Sequence, residues 1–413
     1  MFKLNLSDFS LGFVKLLSTG VLTAAITALS LPIIARLYSP EELGTYQLFI
    51  SIVLVFSSVS SFKYELAIVL PRRRYQSLIV IRIALLSTFI STIMYGLIFY
   101  FFSEIVLSYF NATELLVVAW MIPIGVGLNG LVQMLQMCLV YKGDFSQLSY
   151  NKGSQAIINN GMNIGLGQYN ASFTTLIVSY ISSNLFIILM ASARCKHLLN
   201  SRRSLSFSLL FRYAKKYGKF PTLNTTNTIL NNVSINLPVF VLSRHFNMEV
   251  VGIYMMANRL LDMPISLVSG ALSQVFTKFA ADDYKISPDQ LKNRYLNTLK
   301  KLAIVSIVFI LGVGLLSLVG VDILLGDEWE KVNTIMLILG LSKCAQLMNS
   351  PLASTLSIVN RQEIGLMLLF IFLPIRYISL TFSDDLFNTL FMYSIATMIF
   401  YFTYNLFMYK SIK

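Results

Sequence analysis

Apolar residues in this chain fall into about twelve long runs separated by short polar loops. The runs cover roughly residues 12–37, 44–70, 78–102, 115–140, 150–166, 173–193, 223–242, 250–276, 302–325, 332–359, 364–381 and 386–409. A helix needs roughly 20 mainly apolar residues to cross a bilayer, and most of these runs are of that length. The pattern predicts an all-α integral membrane protein with about twelve transmembrane helices. The fifth run differs in texture, because Gln155, Asn159, Asn160 and Asn163 interrupt it. The first run is too long for a cleavable signal and lacks a cleavage site, so it is expected to stay as a membrane helix.

A basic stretch, residues 194–219, holds eight Lys/Arg and no acid. It splits the chain into an expected N-terminal six-helix bundle (1–193) and a C-terminal one (220–413). The halves repeat a pattern. LPIIARLYSPEELGTY ends at Tyr46 and LPVFVLSRHFNMEVVGIY ends at Tyr254. Each has Leu-Pro near the end of a half's first helix, an Arg, an acid, and Gly-x-Tyr opening the next helix. Six spans per half give both copies one orientation. That predicts a parallel repeat about an axis along the membrane normal, with a central cavity. Pro32 and Pro238 occupy equivalent places and are the hinge candidates, since proline breaks a helical hydrogen bond. Pro123, Pro264, Pro351 and Pro374 also fall in spans and read as packing geometry.

Composition agrees with this reading: 56% of residues are hydrophobic and only 12% charged, about half the share of charge in a soluble domain. The charge is sorted by loop. With the run-end residues Lys15 and Lys152 counted, odd segments carry 24 Lys/Arg against 6 Asp/Glu, and with Arg36 and Asp322 counted, even loops carry 3 against 11. Lys and Arg are retained on the cytoplasmic side, so both termini are expected inside. The net charge of +13 is thereby explained by inner loops facing anionic lipid, without nucleic acid. Cys138, Cys195 and Cys344 form no metal or redox spacing, and the two histidines, His197 and His245, cannot build a zinc site.

Charges inside spans remain unexplained by insertion. A charge near the bilayer centre costs about 3 kcal/mol, so it faces protein or water. Counting about 1.5 Å per residue, Arg259 lies about 15 Å from Glu249 and Lys343 about 18 Å from Lys331, both near the midplane. Lys63 and Glu65 lie roughly 9–12 Å outward of Pro71, Arg376 is inside the eleventh span, and Arg82 reads as an interface residue. The set Lys63, Arg259, Lys343 and Arg376 against Glu65 and Asp262 is net positive. Such a surface suits a phosphate-bearing passenger. Equally, Arg259 and Asp262, at i and i+3, can form a local pair, and Lys343 and Arg376 can bond carbonyls or snorkel. The amides Asn159 and Asn163 in the fifth span, with Asn231 and Asn232 in the seventh, match sugar hydroxyls or interhelical bonding. A Gly-rich phosphate loop ending in Lys-Ser/Thr is absent from the sequence, so no ATP hydrolysis is expected.

Two stretches resemble the N-terminal signature of polysaccharide-unit flippases: Ala35-Arg36-Leu37-Tyr38-Ser39-Pro40-Glu41-Glu42-Leu43-Gly44, and Lys63-Tyr64-Glu65-Leu66-Ala67-Ile68-Val69-Leu70-Pro71. Phe220-Pro221, Leu237-Pro238, Val251-Gly252-x-Tyr254, Ala257-x-Arg259 and Pro264 match in the second half. The chain is similar throughout to the polysaccharide-transporter branch of the multidrug/oligosaccharidyl-lipid/polysaccharide exporter superfamily, which includes O-antigen flippases. The resemblance implies two pseudo-symmetric six-helix bundles and no enzyme activity. It implies a passenger of oligosaccharide on undecaprenyl pyrophosphate, moved from the inner to the outer leaflet of a bacterial inner membrane. A polysaccharide polymerase and chain-length regulator are the expected protein partners. On this reading Arg259, Lys343, Arg376 and Lys63 attract the pyrophosphate, and the amides line the sugar path. Glu65 and Asp262 are candidates for proton or sodium coupling, or for ion pairing, and no cofactor is expected. A multidrug exporter would call for an excess of cavity acids. A glycan polymerase or glycosyltransferase would call for a large outer loop.

Overall fold

A computed structural model describes residues 6–71, 73–199 and 206–412, and every regular element among them is helical. The helices are α1 (Leu6–Leu37), α2 (Pro40–Ser57), α3 (Arg74–Tyr109), α4 (Met121–Lys142), α5 (Phe145–Gly167), α6 (Phe173–Leu199), α7 (Phe207–Lys216) and α8 (Thr225–His245). They continue as α9 (Met248–Ile286), α10 (Pro288–Val319), α11 (Val321–Leu325), α12 (Glu330–Asn349), α13 (Thr355–Ile358), α14 (Gln362–Thr381) and α15 (Leu386–Ser411). All but α7, α11 and α13 have 18 or more residues, which makes twelve long helices among the described residues. Nine helical segments are long and apolar enough to cross a membrane. The three long helices outside that class are α2, with only 18 residues, and the amide-bearing α5 and α8. The chain is a multi-pass membrane protein.

Local chemistry fixes the helix ends. Gly143 adopts the left-handed conformation that closes α4, a backbone shape glycine takes without steric cost. The side chains of Asp144, Asn247, Ser287 and Asp385 each accept a bond from the backbone N–H of the third residue of the following helix. These caps satisfy donors that have no partner inside the helix.

Several spans are not the unbroken helices expected. The second stops at Ser57 and resumes only as a 3-10 turn, Tyr64–Val69. The cause is the serine run at 57–61. Ser58 Oγ donates to Val55 O at 2.7 Å and Ser60 Oγ to Ser57 O at 3.0 Å, so hydroxyls compete with the helical ladder. Ser91 of α3 then takes the Ser60 carbonyl at 2.7 Å. Phe62 and Lys63 adopt positive φ of 50° and 59°, an uncommon conformation for residues with a side chain. The tenth span likewise breaks after Asn349 into a 3-10 turn, Ser350–Leu352, then α13. Pro351 therefore lies in a turn. Pro123 lies in the first turn of α4, where no helical bond is lost. Pro32, Pro238, Pro264 and Pro374 do sit inside helices.

Contacts group the described residues of Met1–Tyr38 and Thr45–Arg244 into one compact unit, and those of Ser39–Gly44 and His245–Lys413 into another. In the first, Ile79, Ile81, Leu135, Cys138, Ala191 and Cys195 form a core joining α3, α4 and α6. α8 belongs to this unit: Asn111 donates to Arg244 O at 2.8 Å, and the Arg244 guanidinium lies 4.0 Å from the Tyr109 ring. In the second unit, Phe276, Ala280, Leu291, Tyr295, Leu352 and Met408 form the core. There the first turn of α2 crosses the first turn of α9 backbone to backbone. A Cβ on Gly44 would lie 1.8 Å from Met248 O, and one on Gly252 1.8 Å from Pro40 O. The offset of four residues is the same both ways, as in an isologous contact. Only glycine fits at either place.

Candidate functional site

In the second unit, α9 presents Tyr254, Asn258 and Asp262 at i, i+4 and i+8, a spacing that puts them on one helix face. The packing of α12 against α9 brings Lys343 to this stripe. Lys343 Nζ lies 2.6 Å from Asp262 Oδ1, and Asn258 Nδ2 donates to Asp262 Oδ2 at 2.7 Å. Both carboxylate oxygens are thus engaged. The Lys343 side chain is 11% exposed and that of Asp262 39%. The ammonium is buried, whereas the carboxylate side chain is partly exposed.

Arg376 of α14 is buried nearby, with its guanidinium 4.3 Å from the Phe400 ring and 5.9 Å from Tyr401. Flat packing of a guanidinium on an aromatic face is favourable and fixes its plane. Tyr254 of this stripe faces Tyr393 of α15, and Arg376 lies beside Tyr401. Sequence reading found Lys343, Arg376 and Asp262 but missed Asn258 and the three tyrosines. The i, i+4, i+8 spacing on α9 was the available signal. Arg259 is half-buried on α9, one position around the helix from Asn258.

The first unit holds a different arrangement. Lys63 Nζ lies 3.4 Å from Glu65 Oε1, with side chains 11% and 5% exposed. Ser61 donates to the other Glu65 oxygen. The left-handed Lys63 lets one tight turn close on this pair. In α5, Gln155 donates to Asn184 of α6 at 3.2 Å, and Tyr38 donates to the Asn163 backbone carbonyl at 2.8 Å. The side-chain oxygens of Asn159 and Asn163 are buried without a hydrogen-bond partner among the described residues. In α8, Asn232 donates to Thr228 O and Asn236 to Asn232 O, both at 2.9 Å. These bonds stay within the helix. Asn231 is exposed and Asn232 half-buried. Cys138 and Cys195, distant in sequence, are buried in the same core, and both are free.

The model of a family described as polysaccharide biosynthesis protein matches residues 72–334. A relative, the teichuronic acid biosynthesis protein TuaB of Bacillus subtilis (strain 168), is 22% identical over 223 residues, 53% of this chain and 45% of that protein. The chain thus aligns with under half the length of that relative. Among solved structures, an inward-facing multidrug resistance MATE family transporter of the MOP superfamily superposes with a TM-score of 0.68 at 14% identity, covering 94% of each chain. A MOP superfamily transporter from Pyrococcus furiosus, whose binding pocket is described as having reverse polarity, gives 0.61 at 12% identity, covering 97% and 95%. A MATE transporter from Vibrio cholerae gives 0.58 at 12%, covering 98% and 96%. The fold is that of the MOP transporters.

Proposed function

The chain belongs to the polysaccharide biosynthesis protein family, and from that premise we propose that it is a flippase for lipid-linked oligosaccharide. Its passenger is a short glycan on undecaprenyl pyrophosphate, carried from the inner to the outer leaflet of the inner membrane by alternating access. O-antigen or a similar surface-polysaccharide repeat unit is the glycan class. Both termini are cytoplasmic.

The observation that carries this reading is the cationic excess in the second unit. Lys343 and Arg376 are 9% and 6% exposed, and Asp262 is the acid paired with Lys343. Buried Arg and Lys attract phosphate oxygens through charge-assisted bonds. Arg259 adds a third cation in the same unit, whereas Lys63 of the first unit is taken up by Glu65. The amides Asn159, Asn163, Asn231 and Asn232 serve sugar hydroxyls, which donate and accept. Asp262 takes the coupling proton or sodium ion, while the enclosed Glu65 pairs with Lys63, and Pro32 and Pro238 serve as hinges.

The test is transfer of a labelled undecaprenyl-pyrophosphate oligosaccharide between leaflets by purified protein in liposomes, with and without ion gradients. Transfer is expected, and it should fall at least tenfold in Lys343→Ala and Arg259→Ala at equal protein level. No transfer by folded protein, with export of organic cations instead, would give the multidrug reading. Rescue of Arg259→Ala by a second change at Asp262 would reduce Arg259 to a structural partner.

A further inference from the structure

The segment between α6 and α8 holds a surface that the transport reading does not use. α7 has ten residues, about 15 Å of helix, too short to cross a membrane. Yet Phe207 and Phe211 are 80% and 67% exposed. On a lipid-facing span such exposure is ordinary. On a short helix outside the spans it needs a partner.

Helical rotation divides α7 into three sectors. One sector is anchored: Tyr213 is buried, and Leu209, Leu210, Ala214 and Tyr217 pack on the first unit's core. The helix also packs against α3. Phe207 and Phe211, at i and i+4, form the apolar sector. Arg212, Lys215 and Lys216 form the third, with Lys219 just beyond, and all four are exposed. Lys216 Nζ is held 5.6 and 5.5 Å from the Tyr213 and Tyr217 rings. The contact with α3 adds exposed Arg73 and Arg74 to the same end of the unit. Residues 206–219 contain no acid.

We propose that α7 is an interfacial foot that binds anionic phospholipid of the cytoplasmic leaflet. Phe207 and Phe211 enter the acyl boundary, while Arg212, Lys215, Lys216 and Lys219 hold headgroup phosphates. An apolar sector beside a basic one is the architecture of helices that lie in a bilayer surface. Charge sorting of the loops assigns this end to the cytoplasmic side, where anionic lipid attracts clustered cations. The fixed anchor makes the site part of the fold.

The full chain, purified from bilayers of equal phosphatidylglycerol and phosphatidylcholine, is tested for lipid retained through detergent exchange, quantified by mass spectrometry. Wild type should retain phosphatidylglycerol over phosphatidylcholine. The preference should fall at least fivefold in Arg212→Gln/Lys215→Gln/Lys216→Gln/Lys219→Gln, and about twofold in Phe207→Ser/Phe211→Ser. Should the quadruple variant fold poorly, wild type is compared at 0.05 and 0.5 M salt, where the preference should drop. Equal retention by variant and wild type, or no response to salt, overturns the proposal and leaves the face to a protein partner.

Discussion

Lys63 and Glu65 stand two residues apart on one turn of the first unit, whereas Lys343 and Asp262 are 81 residues apart on two helices of the second. The first pair is closed, with both side chains nearly inaccessible and Ser61 on the remaining oxygen. The second is open on one side, because the Asp262 side chain is 39% exposed. A closed pair on a tight turn stabilises a conformation, here the break in the second span. An open pair between two helices can exchange partners with a ligand or an ion. The contrast separates two roles that the same residue types, met inside apolar runs, leave indistinguishable.

Breaking the closed pair should have the largest effect on stability. Glu65→Ala leaves a buried ammonium beside a strained turn, and losing one partner of a buried pair costs about 3–5 kcal/mol. Thermal unfolding in detergent measures it. The double variant Lys63→Met/Glu65→Met should recover more than half of the loss, because no charge is then stranded. A double variant as unstable as the single one would mean that Glu65 acts on the turn in another way.

The Gly44–Gly252 crossing gives the next effect. Alanine gains about 1 kcal/mol over glycine in a helix interior, but its Cβ would meet a backbone carbonyl at 1.8 Å. A backbone cannot move aside as a side-chain tip can, and overpacking costs about 1–3 kcal/mol. Gly44→Ala and Gly252→Ala should therefore each destabilise by up to about 2 kcal/mol net. Because the contact is reciprocal, their melting shifts should be similar. Strongly unequal shifts would break the equivalence of the two turns.

The helical class and most spans were legible in the sequence, because a long apolar run has few other uses. The break after Ser57 was not, since serines are common in spans and only their cumulative bonding to carbonyls halts the helix. The ionised members of the site were legible for a similar reason: Lys343, Arg376 and Asp262 stand out against apolar neighbours. Their pairing was hidden. Local spacing pointed Asp262 toward Arg259 at i−3, but the packing of α9 on α12 brings Lys343 to one carboxylate oxygen, and Asn258 at i−4 holds the other. Tyr254, Tyr393 and Tyr401 were masked by abundance, for the chain has 21 tyrosines. The placing of Cys138 and Cys195 in one core depends on α4 meeting α6, which no spacing rule encodes.

The open pair should respond differently from the closed one. Lys343→Met removes a cation whose partner keeps solvent and Asn258, so the stability loss should be only about 1–2 kcal/mol after screening. Transfer of the lipid-linked oligosaccharide should still fall at least tenfold. Asp262→Asn should cost about 1–3 kcal/mol of stability, less than Glu65→Ala, because the amide keeps a bond to the buried Lys343 ammonium. It should also remove any dependence of transfer on an ion gradient. A stability loss as large as that of Glu65→Ala, with normal transfer per folded molecule, would erase the distinction between the pairs.

Asn258→Ala gives the smallest expected effect and the sharpest question. It deletes one hydrogen bond to a carboxylate that retains Lys343 and partial solvent access, so about 1 kcal/mol of stability is at stake. If Asn258 orients Asp262, the variant lets the carboxylate swing on its α9 stem and loosens the Lys343 contact. Transfer should then fall about threefold, and Asn258→Gln, with a longer reach, should restore part of it. If Asn258 only fills space, Asn258→Leu should transfer as well as wild type. That result would leave Lys343 alone to fix the acid, and would make the open pair a two-residue device like its closed counterpart.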